Sequence, residues 1–387
     1  PARSCHLSGT RATLATYSGV CPMSTVPVSL GGRSYPIIIE PGLLARAAEF
    51  ITSDRVPSYV MILTHPRLAP LYAEPLMHGL SARGVPASVV TIPPGERYKN
   101  LSTVRHLYNR MLAAGLDRKS LLVTLGGGVL GDLGGFAAAT YLRGIPFVQM
   151  PTSLLAQVDA SIGGKTGVDL PGGKNLVGAF YQPRAVLIDT CTLDTLPTRE
   201  LRTGLAEVIK YGIICDEAFF QRVRGQLPAL LRRDSDALTE AIVRSCQIKA
   251  DVVRQDETEQ GLRAILNFGH TVGHALEAVT GYRRYRHGEA ISIGMVSAAL
   301  IGEEVGETPP SVTEEIQEVL TLAGLPTVFP PDVSIEEIWQ AMLRDKKTTA
   351  GKVHFVLARR IGEVIVRGDV SMAAVQVALE RQRVGEV

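Results

Sequence analysis

From Ser24 onward, short apolar runs rich in β-branched residues alternate with segments of helix length, so the hydrophobic period switches repeatedly between two and about 3.6 residues. Strands are predicted over residues 35–40, 59–63, 87–92, 121–125 and 185–189. Strands alternating with helices in this order predict an α/β domain. Gly31 and Gly32, between two strand-like stretches, predict a hairpin that opens it.

After about residue 196 the pattern changes. Long amphipathic segments at 200–214, 236–256, 270–280 and 288–305 follow one another, with few strand candidates before 353–357. The second half is therefore predicted to be mainly helical, punctuated by Pro309-Pro310 and Pro330-Pro331 and without an internal repeat. The expected organisation is an N-terminal extension over 1–22, an α/β domain over 23–196 and a helical domain over 197–387, with chemistry expected in a cleft between the halves.

Composition narrows the choice. The 387 residues are 45% hydrophobic and 20% charged, and 40 Lys and Arg against 38 Asp and Glu give a net charge of +2. That balance announces neither a nucleic-acid nor a membrane partner. Five separated cysteines with no CxxC pair suggest neither a disulfide framework nor a cysteine zinc cluster, which makes a reducing cytoplasm the simplest setting. No apolar run reaches the roughly 20 residues that span a bilayer. The first 22 residues carry Arg3 and Arg11 and no acid. They are read as upstream or vector-derived sequence before Met23, with a plastid transit-peptide remnant as the alternative.

Three constellations carry chemistry. Gly126-Gly127-Gly128-Val129-Leu130-Gly131 follows an apolar strand and precedes a helix-like run, which matches G-x-G-x-x-G in the context of a dinucleotide fingerprint. Glycines there let backbone amides approach a pyrophosphate at a helix N-terminus. The ribose-binding acid about 20 residues later is missing, since 147–153 read Phe-Val-Gln-Met-Pro-Thr-Ser. The site is thus Rossmann-like but irregular, and close packing alone is the competing explanation for the glycines.

The second is the loop predicted over 161–175, where paired glycines surround Lys165 and Lys174. Its Gly-Gly-Lys-Thr resembles the end of a P-loop, but Asp159 stands where the Walker spacing requires glycine. A backbone nest with lysines remains a natural phosphate site. The third is His270, His274 and His287, three of the eight histidines within 18 residues. The first two lie at i and i+4, on one helical face, a frequent zinc arrangement. Thr271 replaces the glutamate of a zincin, so that motif is excluded. A carboxylate would complete three donors, and Glu207 is the best candidate, its alternative role being a helix-face partner of Lys210 or Arg202. Arg143, Lys165, Lys174, Lys210, Lys249, Arg263, Lys346 and Lys347 recur beside glycines or within apolar helices, which suits a substrate bearing both phosphate and carboxylate.

Taken together, residues 95–100, 125–136, 141–183, 204–212, 261–277, 287–290 and 345–347 closely resemble the sugar-phosphate cyclase family, the resemblance running from about residue 26 to beyond 360. It implies an N-terminal NAD-binding α/β domain, a mainly helical C-terminal domain holding a divalent metal, Zn2+ or Co2+, and a homodimer. It also implies that Glu207, His270 and His287 are the metal ligands, with His274 beside the metal as a substrate or catalytic residue. This replaces the spacing argument's pairing of His270 with His274. Arg143, Asp159, Lys165, Asn175, Lys210, Lys249, Arg263, Asn267 and Lys346 or Lys347 match substrate-pocket positions, with Lys165, His274, Lys210, Asn175 and Asp159 as the catalytic set. Glu96, Lys99, Gly126, Gly127, Gly128, Asp132, Thr152, Ser153, Lys174 and Asn175 match cofactor positions.

The implied reaction oxidises a substrate hydroxyl transiently, eliminates phosphate, returns the hydride and closes a carbocycle by an intramolecular aldol step. Lys249, Arg263, Asn267 and His274 together favour a carboxylated seven-carbon substrate. The alternatives are a sister cyclase making a valiolone or a scyllo-inosose, a metal-dependent polyol dehydrogenase performing net redox chemistry, and a non-catalytic dinucleotide sensor.

Overall fold

The computed structural model describes residues 23–344 and 353–384. The chain divides into two compact units, one holding the described residues through Leu196 together with Ser235–Thr258, the other Pro197–Asp234 and the chain from Glu259 on.

The first unit is built on β1 (Ser24–Val28), β2 (Tyr35–Ile39), β3 (Val60–Thr64), β4 (Ala87–Thr91), β5 (Leu121–Gly126), β6 (Phe147–Pro151) and β9 (Ala185–Ile188). A separate antiparallel hairpin pairs β7 (Lys165–Leu170) with β8 (Gly173–Phe180). The seven-stranded sheet runs β1-β2-β9-β6-β5-β3-β4, parallel except for the β1–β2 hairpin across Gly31-Gly32. Every residue of β3, β5 and β6 is buried. Helices on both faces explain why these strands read as continuous apolar runs rather than alternating ones. Leu43, Ala47, Ile51, Leu76 and Leu80 cover one face. Leu107, Met111, Leu133 and Ala137 cover the other.

Connections leave β3 and β5 in opposite directions, so the carboxyl ends of these two neighbours flank a topological switch point, the usual place for a ligand in an open α/β sheet. Gly126 ends β5 at that place.

Two expectations change. The helix over 236–256 forms as Ser235–Gln255, but it belongs to the sheet unit rather than to the helical half, where Lys249 and Cys246 reach the turn Ala156–Ala160. Amphipathic periodicity sets a helix and says nothing about which core it covers. The predicted loop over 161–175 is largely the β7–β8 hairpin. Its strands are held so close that a Cβ on Gly178 would lie 2.1 Å from the Thr166 carbonyl oxygen, and one on Gly167 would lie 2.7 Å from that of Val177. Glycines needed for strand contact looked like glycines of a flexible turn.

The second unit contains the helices Thr198–Cys215, Glu217–Leu231, His270–Val279, His287–Glu304, Pro310–Leu322, Ile335–Arg344 and Met372–Val384, with a hairpin of β10 (Phe355–Arg360) and β11 (Glu363–Arg367). His287–Glu304 is buried almost all round and forms the centre of this unit. No helix among the described residues is long and apolar enough to cross a membrane.

Candidate metal and nucleotide sites

Three separate segments of the helical unit deliver Glu207, His270 and His287 to one point. Glu207 lies on the buried face of Thr198–Cys215, while His270 and His287 each open a helix. Glycine permits the approach. A Cβ on Gly288 would lie 2.2 Å from the carbonyl oxygen of Thr203, one turn before Glu207. One on Gly294 would lie 2.0 Å from the carbonyl oxygen of Gly269, which itself adopts φ +77° to start the His270 helix. Backbone thus packs on backbone at both crossings, and the ligand side chains are left facing one another.

The His270 and His287 Nε2 atoms each lie 3.6 Å from Glu207 Oε1. Two donors about 2.1 Å from one tetrahedral ion lie about 3.4 Å apart, so this spacing fits a zinc-like centre with a fourth position open. Each ring has an acceptor beside its Nδ1. His270 Nδ1 lies 3.0 Å from the Phe268 carbonyl oxygen and His287 Nδ1 lies 3.4 Å from Glu277 Oε2. An Nδ1–H donated to either acceptor leaves the Nε2 lone pair for a metal. Burial opposes charge on His287, yet hydrogen bonds that it donates to Glu207 and Glu277 outweigh it and raise its pKa to about 10. This point of the protein favours positive charge. Lys210, one helical turn from Glu207, bonds to Glu207 Oε2 and is fully buried. His274 stands beside the group, its ring 5.2 Å from that of His270 and 5.9 Å from that of His287. It also belongs to a second potential donor set with Glu277 and His287.

In the sheet unit, Gly127 precedes the helix Gly128–Thr140, and the three glycines wrap the carboxyl end of β5. A Cβ on Gly127 would meet little, Ser153 Oγ at 3.6 Å, whereas one on Gly131 would lie 2.5 Å from Gln149 Oε1 and one on Gly134 2.4 Å from Thr124 Cγ2. Ligand approach and close packing are therefore divided along the run: Gly127 stays open, whereas a Cβ on Gly126 would lie 2.4 Å from Leu130 Cδ1 and one on Gly128 3.0 Å from Ala160 Cβ, and the later glycines seat the helix on the sheet. Thr152 donates its N–H to the Gly126 carbonyl at 3.0 Å, which places the Thr152-Ser153 turn beside it.

Next to this turn lies a charge cluster drawn from four segments. Lys99 is buried, with its Nζ 2.6 Å from Asp132 Oδ2 and bonded to Asn175 Oδ1. Burial disfavours the charged lysine, but Asp132 and Glu96 overcome that and hold its pKa above the ordinary value. Asp132 and Glu96 are both raised by burial, with Lys99 as the main opposing charge. Lys174 Nζ lies 3.8 Å from Glu96 Oε1. Asn175 adopts φ +54° and donates its N–H to Asp169 Oδ1 at 2.8 Å, which pins the hairpin to the cluster.

The remaining expected site residues have definite places. Lys249 Nζ donates to Asp159 twice, to its Oδ1 at 2.6 Å and its carbonyl oxygen at 2.5 Å. Lys165 opens β7 directly after Gly163 and Gly164, both with positive φ. Arg143, with Leu142 before it, is held in the left-handed region, a strain that marks functional positions more often than structural ones. Arg263 is buried within the short turn Leu262–Asn267, and Asn267 Nδ2 donates to Glu259 Oε1 at 3.1 Å. Lys346 and Lys347 lie outside the described residues, as do residues 1–22.

Two contributors escaped the sequence reading. Glu277 follows His270 by seven residues and His274 by three, so its helical spacing could have placed it on the histidine face. Gln157 is fully buried, and its Nε2 lies 3.1–3.2 Å from the Pro151 and Asp189 carbonyls and Thr192 Oγ1, anchoring the turn that carries Asp159. No local spacing signals that role.

Comparison with known proteins agrees with this geometry. The 2-epi-5-epi-valiolone synthase of Streptomyces hygroscopicus subsp. jinggangensis 5008, solved with NAD+ and Zn2+ bound, superposes with a TM-score of 0.83 at 27% identity, covering 96% of this chain and 99% of that one. A 2-deoxy-scyllo-inosose synthase complexed with carbaglucose-6-phosphate, NAD+ and Co2+ gives the same TM-score and identity over 92% of this chain and 100% of that one. The fold is thus that of the sugar-phosphate cyclases. Residues 89–203 match the 3-dehydroquinate synthase N-terminal family model and residues 204–348 the C-terminal one, and the 3-dehydroquinate synthase of Syntrophotalea carbinolica is 50% identical over 340 residues, 88% of this chain and 94% of that protein. The chain belongs to the 3-dehydroquinate synthase family.

Proposed function

We propose that the chain converts 3-deoxy-D-arabino-heptulosonate 7-phosphate into 3-dehydroquinate and phosphate, the carbocycle-forming step of the shikimate pathway, as an NAD- and divalent-metal-dependent carbon–oxygen lyase. The observation that carries the reading is the Glu207–His270–His287 group, whose donor spacing and Nδ1 acceptors fit a metal. When bound, the metal supplies Lewis-acid activation of the substrate hydroxyl, and NAD supplies its transient oxidation and the return of the hydride.

The chain's own groups account for the rest. Glu207, His270 and His287 would hold the metal, and Lys210 pairs with Glu207 inside the helical unit. His274 stands next to the ligands as the group placed to move a proton at the substrate. Lys165, Lys249, Arg263 and Arg143 are the cations for phosphate and carboxylate, with Asp159 orienting Lys249. Asn175, Asn267, Lys346 and Lys347 complete the substrate set. Gly126, Gly127, Gly128, Thr152 and Ser153 take the pyrophosphate, while Glu96, Lys99, Asp132, Lys174 and Asn175 frame the nucleotide. Oxidation acidifies the neighbouring C–H, phosphate leaves by β-elimination, and ring opening with intramolecular aldol closure follows once the hydride has returned. A homodimer in the cytoplasm is part of this reading, supported by family membership.

The test is phosphate release from the heptulosonate phosphate with catalytic NAD, following nucleotide absorbance and 3-dehydroquinate together. Stoichiometric phosphate and dehydroquinate with no net NADH, abolished by chelation and restored by Zn2+ or Co2+, is the expected result. Turnover of non-carboxylated sugar phosphates instead would identify a sister cyclase, and accumulating NADH a dehydrogenase.

A further inference from the structure

Lys165 is exposed, while Gly163 and Gly164 before it and Thr166 and Gly167 after it are buried. Its ammonium can be aimed only as well as the backbone beneath it is fixed. That backbone is entered through two consecutive glycines at φ +94° and +67°, the residue type with the most conformational freedom to lose.

Three contacts hold this turn. Gly163 donates its N–H to the Tyr35 hydroxyl at 3.0 Å, and the Gly164 carbonyl accepts the Tyr181 N–H at 2.8 Å. The third is the side chain of Gln182. A Cβ on Gly164 would lie 2.6 Å from its Cδ, Nε2 and Oε1 alike, so the amide lies face-on against the turn and occupies the space a side chain there would take. The amide is oriented in its turn from behind: Gln182 Nε2 donates to Glu257 Oε1 at 2.9 Å, and Arg33 donates to Glu257 Oε2 at 2.6 Å. Arg33, Glu257 and Gln182 all belong to the sheet unit that carries Lys165. Arg33 is largely exposed, so its ion pair adds little to stability and serves to hold the carboxylate.

Gln182 Oε1 is buried and makes no hydrogen bond among the described residues. A side chain kept only to fill this space would do better as methionine, which has similar length and leaves no orphaned acceptor. An amide retained in spite of that cost is there for the direction its hydrogen bond imposes.

Resting on the reading of Lys165 as a cation for the substrate phosphate, we propose that Gln182, oriented by Glu257, is a positioning residue for that phosphate. It fixes the Gly163–Gly164 turn and, through it, the point from which the Lys165 side chain reaches out. Its effect falls on the substrate and not on the nucleotide.

Steady-state kinetics of the full chain loaded with Zn2+ and NAD+ test this. Gln182→Met should raise both the KM for the heptulosonate phosphate and the inhibition constant of inorganic phosphate by about tenfold, with kcat and NAD+ affinity changing by less than about threefold. Its thermal unfolding midpoint should stay within about 3 °C of wild type or rise, because the orphaned acceptor is gone. Glu257→Leu should reproduce the KM shift, and Glu257→Gln, which keeps an acceptor for the amide, should recover most of it. The Gln182→Met and Glu257→Leu changes combined should be no worse than either alone, as expected of two groups acting through one contact. Unchanged KM and phosphate inhibition in Gln182→Met overturn the proposal. So does a lowered midpoint with equal losses for substrate and NAD+, which is the signature of packing alone. Absence of turnover in wild type overturns the functional reading and this one with it.

Discussion

The two charge clusters are both largely buried and are built to opposite ends. Around Glu207 and Glu277 the helical unit sets two carboxylates against one lysine, an excess of negative charge that draws positive charge to the imidazoles beside them. Around Lys99 the sheet unit sets Lys99 and Lys174 against Asp132, Glu96 and Asp169, so each cation already has its counter-charge within the protein. The first is a receptor whose ligand completes its electrostatics. The second is a frame that has to stand before any ligand arrives, and the open backbone beside it is that of Gly127.

Breaking the first cluster is therefore expected to cost function, and breaking the second to cost folding. His270→Ala should abolish metal content by elemental analysis and lower turnover by about 10³-fold or more, corresponding to roughly 4 kcal/mol of lost transition-state stabilisation, while the apo-protein unfolds much as before. Equal metal content in that variant would remove His270 from the ligand set. Lys99→Met leaves Asp132 without its cation and should cost about 3–5 kcal/mol in chemical denaturation. The Asp132 carboxyl is already raised by burial, so the native state holds its proton more tightly than the unfolded chain does, and its contribution to stability falls as pH rises from the ordinary carboxylate range through the raised value. Removing Lys99 raises the Asp132 carboxyl further, so the Lys99→Met deficit should shrink as pH falls toward wild type's raised value from above, and a pH-independent deficit would point to lost packing instead.

Smaller effects sharpen the same distinction. Glu277→Leu keeps all three proposed ligands and removes the His287 orienter, so the metal dissociation constant should rise about 10–100-fold in a competition assay with a chromophoric chelator. Asn100→Ala removes the cap of the helix Leu101–Ala113, whose Thr103 N–H it accepts at 2.9 Å, and should cost about 1 kcal/mol of stability. Nucleotide affinity should be nearly unchanged, although Asn100 adjoins Lys99.

The same contrast governs what could be read from the sequence. His270, His274 and His287 stand out because helical spacing and the scarcity of histidine are both local signals. Glu207, 63 residues before His270, could be nominated from the sequence only as the best available carboxylate, because the crossing that delivers it is made by Gly288 and Thr203 in three dimensions. The Lys99 cluster is harder still, since Glu96, Asp132, Asp169 and Asn175 meet only through sheet order and the hairpin that paired glycines made look like a loop. The helix Ser235–Gln255 shows the same limit: its periodicity fixes its form, and the Lys249–Asp159 contact that fixes its partner is non-local.

The backbone crossings at Gly288 and Gly294 also decide how this centre can change over time. Distances between the metal donors are set there by main chain resting on main chain, with no side chain to trim or lengthen as a fine adjustment. Neighbouring surface positions can therefore drift freely while the donor triangle keeps its dimensions, and variation in this lineage should accumulate around the ligands' helices before it reaches the two glycines between them.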